Sequence, residues 1–186
     1  MVIEVEMKFA VPDEVEILQH LVKWKVEFGQ SERQVDLYFF HPIRDFADTD
    51  EALRIRRTES RVNVAYKGPR LDTTTKTRQE IEVSLPGDEP AATLFAQIFN
   101  ALGFCVAGEV AKTRRQGQLR VRNRIVTVAL DQVESLGSFV ELEIITHPSD
   151  VTDARATLEF LASELDLGAT ERRSYLEMLG LHSPEM

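Results

Sequence analysis

Charged side chains recur at every second position in several short segments of this sequence. Three of these segments are Glu4–Lys8, Arg54–Arg56 and Glu141–Glu143. Successive side chains of a β-strand point to opposite faces, so each segment would carry its charges on one face and its apolar residues on the other. Like charges two residues apart on a strand repel each other. The pattern therefore favours strands that are placed beside strands of opposite charge.

Two arrangements of these strands are consistent with the alternation. In an ordinary sheet the apolar face packs on a core and the charged face meets water, which explains any single strand. In a closed β-barrel the charged faces line a lumen and helices cover the apolar outer faces. A barrel of about eight strands encloses room for one small ligand. The like-signed clustering favours the second arrangement, so we predict an α+β fold with an antiparallel, eight-stranded closed β-barrel and flanking helices.

The charges that would meet in such a lumen form an acidic set and a basic set. Carboxylate oxygens in this number suit a hard divalent cation, Mg²⁺ or Mn²⁺. Clustered Arg and Lys suit a polyphosphate. Together they predict a site for a metal-bound triphosphate. The acidic residues are Glu4, Glu6, Glu80, Glu82, Asp131, Glu141 and Glu143, and the basic residues are Lys8, Arg54, Arg56, Lys67, Arg78, Lys112 and Arg114.

Hydrophobic periodicity predicts the elements that hold these residues, about eight or nine strands and four helices. The segment Gly68–Thr75 is rich in Gly, Pro and Thr and is either a plain surface connection or a lid over bound triphosphate. Other local predictions are a helix over roughly Glu14–Phe28, a loop over Phe46–Asp50, a tight turn at Gln116–Gly117 and a helix near Thr170–Leu179.

Composition excludes several other classes of protein. The 186 residues favour a single domain, and 43% hydrophobic residues suffice for a core. A net charge of −9 makes nucleic acid a poor partner, because phosphate attraction needs a basic surface. One cysteine, Cys105, excludes an internal disulfide and a zinc site built from cysteines. There is no long apolar run and no signal-peptide pattern, so we expect a cytoplasmic protein without a membrane segment.

The charged segment at the start of the sequence, Glu4–Lys8, resembles a motif of a known family. Glu4-x-Glu6-x-Lys8 resembles the E-x-E-x-K signature of the CYTH, or triphosphate tunnel metalloenzyme, superfamily. The resemblance covers nearly the whole chain and implies an eight-stranded antiparallel tunnel, with a single CYTH domain over residues 1–181 and a short tail over 182–186. The later motifs, similar in order and spacing, are Leu53–Arg56, Tyr66–Pro69, Arg78–Glu82, Lys112–Arg114, Asp131 and Phe139–Glu143.

Within the superfamily the chain is most similar to the class IV adenylyl cyclase branch. The segments that carry this similarity are Val35–Phe39, Arg44–Phe46, Thr49–Leu53 and Arg173–Glu177. The resemblance implies an enzyme that converts ATP to cyclic AMP and pyrophosphate. A triphosphatase acting on tripolyphosphate, nucleoside triphosphate or thiamine triphosphate is the alternative. A module that binds triphosphate or polyphosphate without chemistry is a third hypothesis.

The resemblance also implies a role for each charged residue. We expect Mg²⁺ or Mn²⁺, with two ions for a cyclase, a small-molecule triphosphate such as ATP or tripolyphosphate as partner, and compatibility with a homodimer. The expected catalytic residues are Glu6, Asp131 and Glu141. The expected metal ligands are Glu4, Glu6, Asp131, Glu141 and Glu143. The expected substrate-binding residues are Lys8, Arg54, Arg56, Lys67, Arg78, Glu80, Glu82, Lys112 and Arg114.

Overall fold

The computed structural model describes residues 2–12, 14–69, 71, 77–87 and 89–181. Within these ranges antiparallel strands surround the site, and helices pack against their outer side. The strands are β1 (Ile3–Ala10), β2 (Glu27–Phe28), β3 (Glu32–Phe40), β4 (Ala52–Arg57), β5 (Arg61–Lys67), β6 (Arg78–Pro86), β7 (Cys105–Val121), β8 (Arg124–Val133) and β9 (Gly137–Thr146). The helices are α1 (Glu14–Lys23), α2 (Phe46–Thr49), α3 (Glu89–Ala101), α4 (Val151–Glu164) and α5 (Tyr175–Met178), with a 3-10 turn at Pro148–Asp150.

Eight of the strands form a ring in the order β7-β3-β4-β5-β6-β1-β9-β8, in which β8 pairs back with β7. Every pairing in the ring is antiparallel. The short strand β2 pairs with the second half of β7. The predicted α+β class, with an antiparallel sheet and flanking helices, is therefore confirmed.

The apolar faces of the strands lie on the outside of the ring, under the helices. On one side Val5 of β1 and Leu142 of β9 are fully buried in one cluster with Leu21 of α1 and Leu158 of α4. On another side α3 packs over β3, β4 and β5. Burial of such a side chain contributes about 1.5–3 kcal/mol, so covering the outer face is what stabilises the ring. The charged faces are left on the inside.

The predicted turn at Gln116–Gly117 is wrong, because β7 runs straight through it as one 17-residue strand. Gly117 instead permits a close approach of β2, since a Cβ at this position would lie 2.7 Å from the backbone oxygen of Glu27. The chain turns later, at Arg122 and Asn123. Both have positive φ, 47° and 65°, as a two-residue hairpin between twisted strands requires.

Tertiary contacts also shorten two predicted helices. The helix α1 ends at Lys23, and Lys25 with a φ of 56° turns the chain so that Val26 is buried beside the sheet. In the predicted helix near Thr170–Leu179, Thr170 forms a bridge with Phe9 of β1, and only α5 is helical. Extended pairing with an existing strand thus replaces the first turn of that helix.

The segment Phe46–Asp50, predicted as a loop, contains the short helix α2. Its start is capped by Asp45, whose side chain accepts a hydrogen bond from the backbone of Ala47 at 2.8 Å. Asp50, in the left-handed region with a φ of 57°, ends it.

Most of the predicted lid, Gly68–Thr75, lies outside the described residues, as does the predicted tail 182–186. No helix in the described ranges has the length and apolar composition needed to cross a membrane.

Candidate functional site

The ring encloses a cavity of about 530 Å³, a volume typical of sites for small ligands. Its wall is built mainly from the inward-facing charged side chains of the strands. Every predicted site residue except Asp131 lines it. These lining residues are Glu4, Glu6, Lys8, Arg54, Arg56, Lys67, Arg78, Glu80, Glu82, Lys112, Arg114, Glu141 and Glu143.

Asp131 lies behind this wall, only 2% exposed, and is held by cationic and phenolic groups. It accepts hydrogen bonds from Lys112 Nζ at 2.8 Å and Arg114 Nε at 2.6 Å. The hydroxyl of Tyr175 donates a third at 3.0 Å. In this arrangement Asp131 orients two basic residues of the site.

Carboxylates gather on the side of the cavity formed by β1 and β9. Glu6 and Glu143 are directly opposite each other in the β1–β9 register, where like charges repel. Burial, together with the nearby charges of Glu4 and Glu6, raises the pKa of Glu143 to about 8. Burial also raises the pKa of Glu4, against the opposing effect of Lys67. Glu143 is therefore poorly neutralised by the protein itself.

Lys67 is the main cation on this side. Its Nζ lies 2.9 Å from Glu4 Oε2 and 2.8 Å from Glu80 Oε2. Burial lowers the pKa of this ammonium, but the two carboxylates outweigh it, so the net shift is upwards. Lys67 thus stays charged and links β5 to β6 and β1, the two strands that follow it in the ring.

The donor set on this side fits a hard divalent cation. It offers carboxylate oxygens, the ligands that Mg²⁺ and Mn²⁺ prefer, and a cation would relieve the repulsion between Glu6 and Glu143. Among the described residues no three acidic, histidine or cysteine side chains yet stand at metal-ligand geometry. One reason is that Glu4 points to Lys67.

The basic side of the cavity is organised by Asp36, a residue that the sequence analysis did not single out. Asp36 is 1% exposed and accepts two hydrogen bonds from Arg56, both of 2.7 Å. Arg54 lies 3.5 Å from the same carboxylate. Burial raises the pKa of Asp36, but the two guanidinium groups outweigh it and hold the pKa well below the usual value. The sequence did contain an indication of this role, because Asp36 belongs to the segment Val35–Phe39 that carries the family resemblance. The structure places Asp36 on the inward face of β3.

Two arginines of the wall carry buried nitrogen atoms for which the described residues supply no hydrogen-bond partner. In the described part of the chain neither Arg54 Nε nor Arg78 Nε has a hydrogen-bond partner. A buried donor without a partner costs about 1–3 kcal/mol, which a bound anion would offset. Both residues line the cavity. These donors suit phosphate oxygens.

Lys112 and Arg114 extend the basic side along β7. Burial and the neighbouring Arg114 lower the pKa of Lys112 to about 8, although Asp131 works in the opposite direction. Arg114 bridges Asp131 and Glu141, and so joins the basic side to the acidic side. An added anion would favour the charged form of Lys112.

The segment around α5 contributes one end of the cavity, and the sequence analysis assigned it no site residue. Lys8 lies over the ring of Tyr175, with Nζ 4.0 Å from the ring centroid, and donates to the carbonyl of Arg173 at 2.5 Å. Ser174 and Glu177 form a capping box that fixes the start of the helix. Tyr175 therefore positions Lys8 on one side and Asp131 on the other.

The cavity also has an apolar part. Phe40, Phe46 and Ala52 line it from β3, α2 and β4, and Leu176 and Leu181 line it from the segment around α5. Triphosphate oxygens gain nothing from such a surface. A substrate with an apolar or planar group attached to its phosphates would use it.

Comparison with known proteins agrees with this architecture. The family model described as the CYTH domain matches residues 2–175. The chain belongs to the CYTH domain family. A Methanocaldococcus jannaschii protein named as a putative adenylate cyclase is 36% identical over 184 residues, which covers 96% of this chain and 99% of that protein.

Solved structures of other proteins show a similar fold. A protein from Pyrococcus horikoshii is 39% identical, with a TM-score of 0.82 over 95% of this chain and 97% of that one. A putative adenylyl cyclase from Hippeastrum, described as having a dominant triphosphatase activity, is 16% identical, with a TM-score of 0.64 over 97% of this chain and 95% of that one. At that identity the second likeness shows the fold alone.

Proposed function

We propose that this CYTH protein is a metal-dependent enzyme that acts on a triphosphate substrate. The observation that carries the proposal is the two-sided cavity. On one side carboxylates gather around the poorly neutralised Glu143, and on the other lie arginines whose Nε donors have no partner among the described residues. A triphosphate bound to a divalent cation needs both sides at once. Binding alone would need fewer carboxylates, which argues against a module without chemistry.

Each side of the cavity has its own task in this proposal. Glu4, Glu6, Glu141 and Glu143 would hold one or two ions of Mg²⁺ or Mn²⁺, with Asp131 behind them. When bound, the cation would neutralise charge that develops on the reacting phosphoryl oxygens. Lys8 lies beside this group. The phosphate-binding residues are Arg54, Arg56, Lys67, Arg78, Lys112 and Arg114, and Glu80 and Glu82 set the position of Lys67 and Arg54 through ion pairs.

Asp36 and Tyr175 would act through other residues. The bidentate contact of Asp36 fixes the guanidinium plane of Arg56, so that its remaining donors are oriented before substrate arrives. Tyr175 holds the side chains of Lys8 and Asp131 in the same way. Such preorganisation lowers the cost of ordering cations at the moment of reaction.

The finer proposal is an adenylyl cyclase. The ribose 3′-hydroxyl of ATP would attack the α-phosphorus, form cyclic AMP, lose its proton and release pyrophosphate. The apolar part of the cavity, around Phe46 and Leu176, supports a substrate with a base attached to its phosphates. The name of the M. jannaschii relative points the same way.

A triphosphatase is the second candidate. Water would then attack the terminal phosphorus and release orthophosphate, and the same carboxylates and basic residues would serve. The observation that favours it is that the polar contacts available in the cavity suit phosphates, together with the triphosphatase activity named for the Hippeastrum protein of the same fold.

The deciding experiment is product analysis. Purified protein is incubated with Mg²⁺ or Mn²⁺ and either ATP or tripolyphosphate, and the products are separated by chromatography. Cyclic AMP with pyrophosphate from ATP supports the cyclase. Orthophosphate from either substrate supports the triphosphatase. Absence of turnover with both substrates and both metals, while binding persists, would overturn the enzyme proposal.

Replacing Arg54 by alanine should raise the KM for the triphosphate by roughly tenfold or more. The reason is the loss of a charge-assisted contact worth about 1.5–3 kcal/mol. Arg57→Ala is the matched control, because Arg57 of the same strand pairs with Glu89 of α3, outside the cavity, at 2.7 Å. Its KM should stay near that of the unaltered protein. Equal effects of the two substitutions on KM would contradict the assignment of Arg54.

A further inference from the structure

The side chain of Gln34 brings a buried hydrogen-bond acceptor to the cavity wall. Gln34 lines the cavity from β3 and is only 7% exposed. Its Nε2 donates a hydrogen bond to Glu32 Oε2 at 3.0 Å. An ionised carboxylate can only accept, so this contact fixes the amide with its nitrogen towards Glu32 and its oxygen away from it. Among the described residues Gln34 Oε1 has no hydrogen-bond partner.

An unsatisfied acceptor in this place requires a group that donates. A buried polar atom without a partner is costly, so it is satisfied when the site is filled. Ionised phosphate oxygens cannot satisfy it, because they are acceptors themselves. The group that meets Gln34 Oε1 must therefore carry an O–H or an N–H, and water is the smallest group that does.

The position of Gln34 along the wall shows which part of a substrate lies beside it. On β3 the inward-facing residues run from Phe40, in the apolar part, through Asp36 to Gln34, a span of about 20 Å at about 3.3 Å per residue. The neighbouring β4 repeats this order, with Ala52 in the apolar part and Arg54–Arg56 after it. A nucleoside triphosphate with its base in the apolar part and its phosphates along these arginines would bring its terminal phosphate to Gln34.

Two cations of the phosphate-binding set flank Gln34 at this end. In the β3–β7 register Gln34 lies directly opposite Lys112. On the β4 side Arg56 is held by Asp36, two residues from Gln34 on the same face of β3. These cations attract the terminal phosphate, whereas Gln34 Oε1 repels its oxygens. The amide oxygen is thus placed to hold a water molecule beside the phosphate.

We propose that Gln34 positions the water molecule that attacks the terminal phosphorus when a triphosphate is hydrolysed. Gln34 Oε1 accepts a hydrogen bond from this water and so directs a lone pair of its oxygen at the phosphorus. The water oxygen bonds to the terminal phosphorus, the bond from that phosphorus to the bridging oxygen breaks, and the diphosphate leaves. The proton that the water loses passes to the solvent.

This role rests on the proposed function and belongs to its hydrolytic form. The ribose hydroxyl that closes cyclic AMP attacks the α-phosphorus, which lies two phosphates away from the terminal one. Loss of the Gln34 acceptor should therefore affect hydrolysis and leave cyclisation unchanged. The two reactions of the same cavity are separated by this one side chain.

Replacing Gln34 by methionine removes the acceptor at a similar side-chain volume. The kcat for orthophosphate release from tripolyphosphate and from ATP should fall about 10–100-fold, because the water is no longer aligned. The Kd for either triphosphate, measured by calorimetry, should stay unchanged. The control is Gln132→Met, at an exposed position of β8 outside the lining of the cavity, and it should alter none of these quantities. Circular dichroism verifies that both variants fold.

A transition-state analogue gives a second readout that does not depend on turnover. ADP with Mg²⁺ and aluminium fluoride mimics the terminal phosphoryl group together with its attacking water. Gln34→Met should weaken binding of this analogue by the same factor as kcat and leave binding of ADP unchanged. Gln34→Glu keeps acceptor oxygens, so it should retain more of kcat than Gln34→Met, while its added charge raises the KM.

The possible outcomes separate this role from the proposed function. An unchanged kcat for orthophosphate release in Gln34→Met would overturn the role. Equal weakening of ADP and of the analogue would make Gln34 a substrate-binding residue and would also overturn it. If the unaltered protein forms cyclic AMP without orthophosphate, the role fails and the proposed enzyme stands. Absence of every product with both substrates and both metals overturns the proposed function, and the role of Gln34 with it.

Discussion

Replacing Glu6 by glutamine should reduce kcat for the triphosphate substrate by about 10²–10³-fold. Glu6 faces Glu143 across β1 and β9, at the centre of the carboxylates proposed to hold the metal. The amide keeps the shape of the side chain but removes the charge that attracts a cation. The weakened binding of Mn²⁺ is measured directly by calorimetry, and kcat by product formation.

A second measurement separates this effect from unfolding. Without metal, removal of one of several repelling carboxylates should leave the free energy of unfolding unchanged or higher. The control is Glu59→Gln, at the exposed turn between β4 and β5. It should alter neither turnover nor Mn²⁺ binding. Normal metal-dependent turnover in the Glu6 variant would show that the reaction does not use this carboxylate.

Replacing Asp36 by alanine should lower the free energy of unfolding by about 3–5 kcal/mol, because it leaves the buried guanidinium of Arg56 without its partner. Urea denaturation measures this change. Asp48→Ala, at an exposed position of α2, is the control and should stay within about 0.5 kcal/mol.

The double variant Asp36→Leu with Arg56→Leu tests whether the unpaired charge of Arg56 causes the loss of stability in Asp36→Ala. Removing both partners eliminates the unpaired charge, so much of the lost stability should return. The double variant should still bind triphosphate poorly, because an arginine of the basic side is absent. If the double variant is as unstable as the sum of the two single changes, the ion pair is not the source of the effect.

Most residues of the cavity wall could be predicted from the sequence, because the alternation of side chains along a strand shows which of them share a face. Glu4, Glu6 and Lys8 alternate with buried apolar residues, and the structure places all three on the cavity wall. The same reasoning placed Arg54 and Arg56 correctly. It worked because the ring buries its apolar side under helices. Along each strand the apolar side chains therefore point outwards and the charged side chains point into the cavity.

The same reasoning failed where contacts between distant segments decide the local structure. Gly117 looks like a turn residue in the sequence, but its missing side chain makes room for β2. Thr170 has neighbours of helical composition, yet it pairs with Phe9 of β1. Asp36 lies between the apolar residues Val35 and Leu37 of β3, and its role depends on Arg56, twenty residues away.

The sequence by itself therefore determined which residues face inwards, the sign of their charges and the family to which the chain belongs, since these follow from spacing along single strands. Tertiary structure alone decided which charges pair. It set Asp131 behind the wall with Lys112 and Arg114, and left Glu6 and Glu143 facing each other. The physical reason is that pairing depends on strand order and register around the ring, and these are set by packing between segments far apart in the chain.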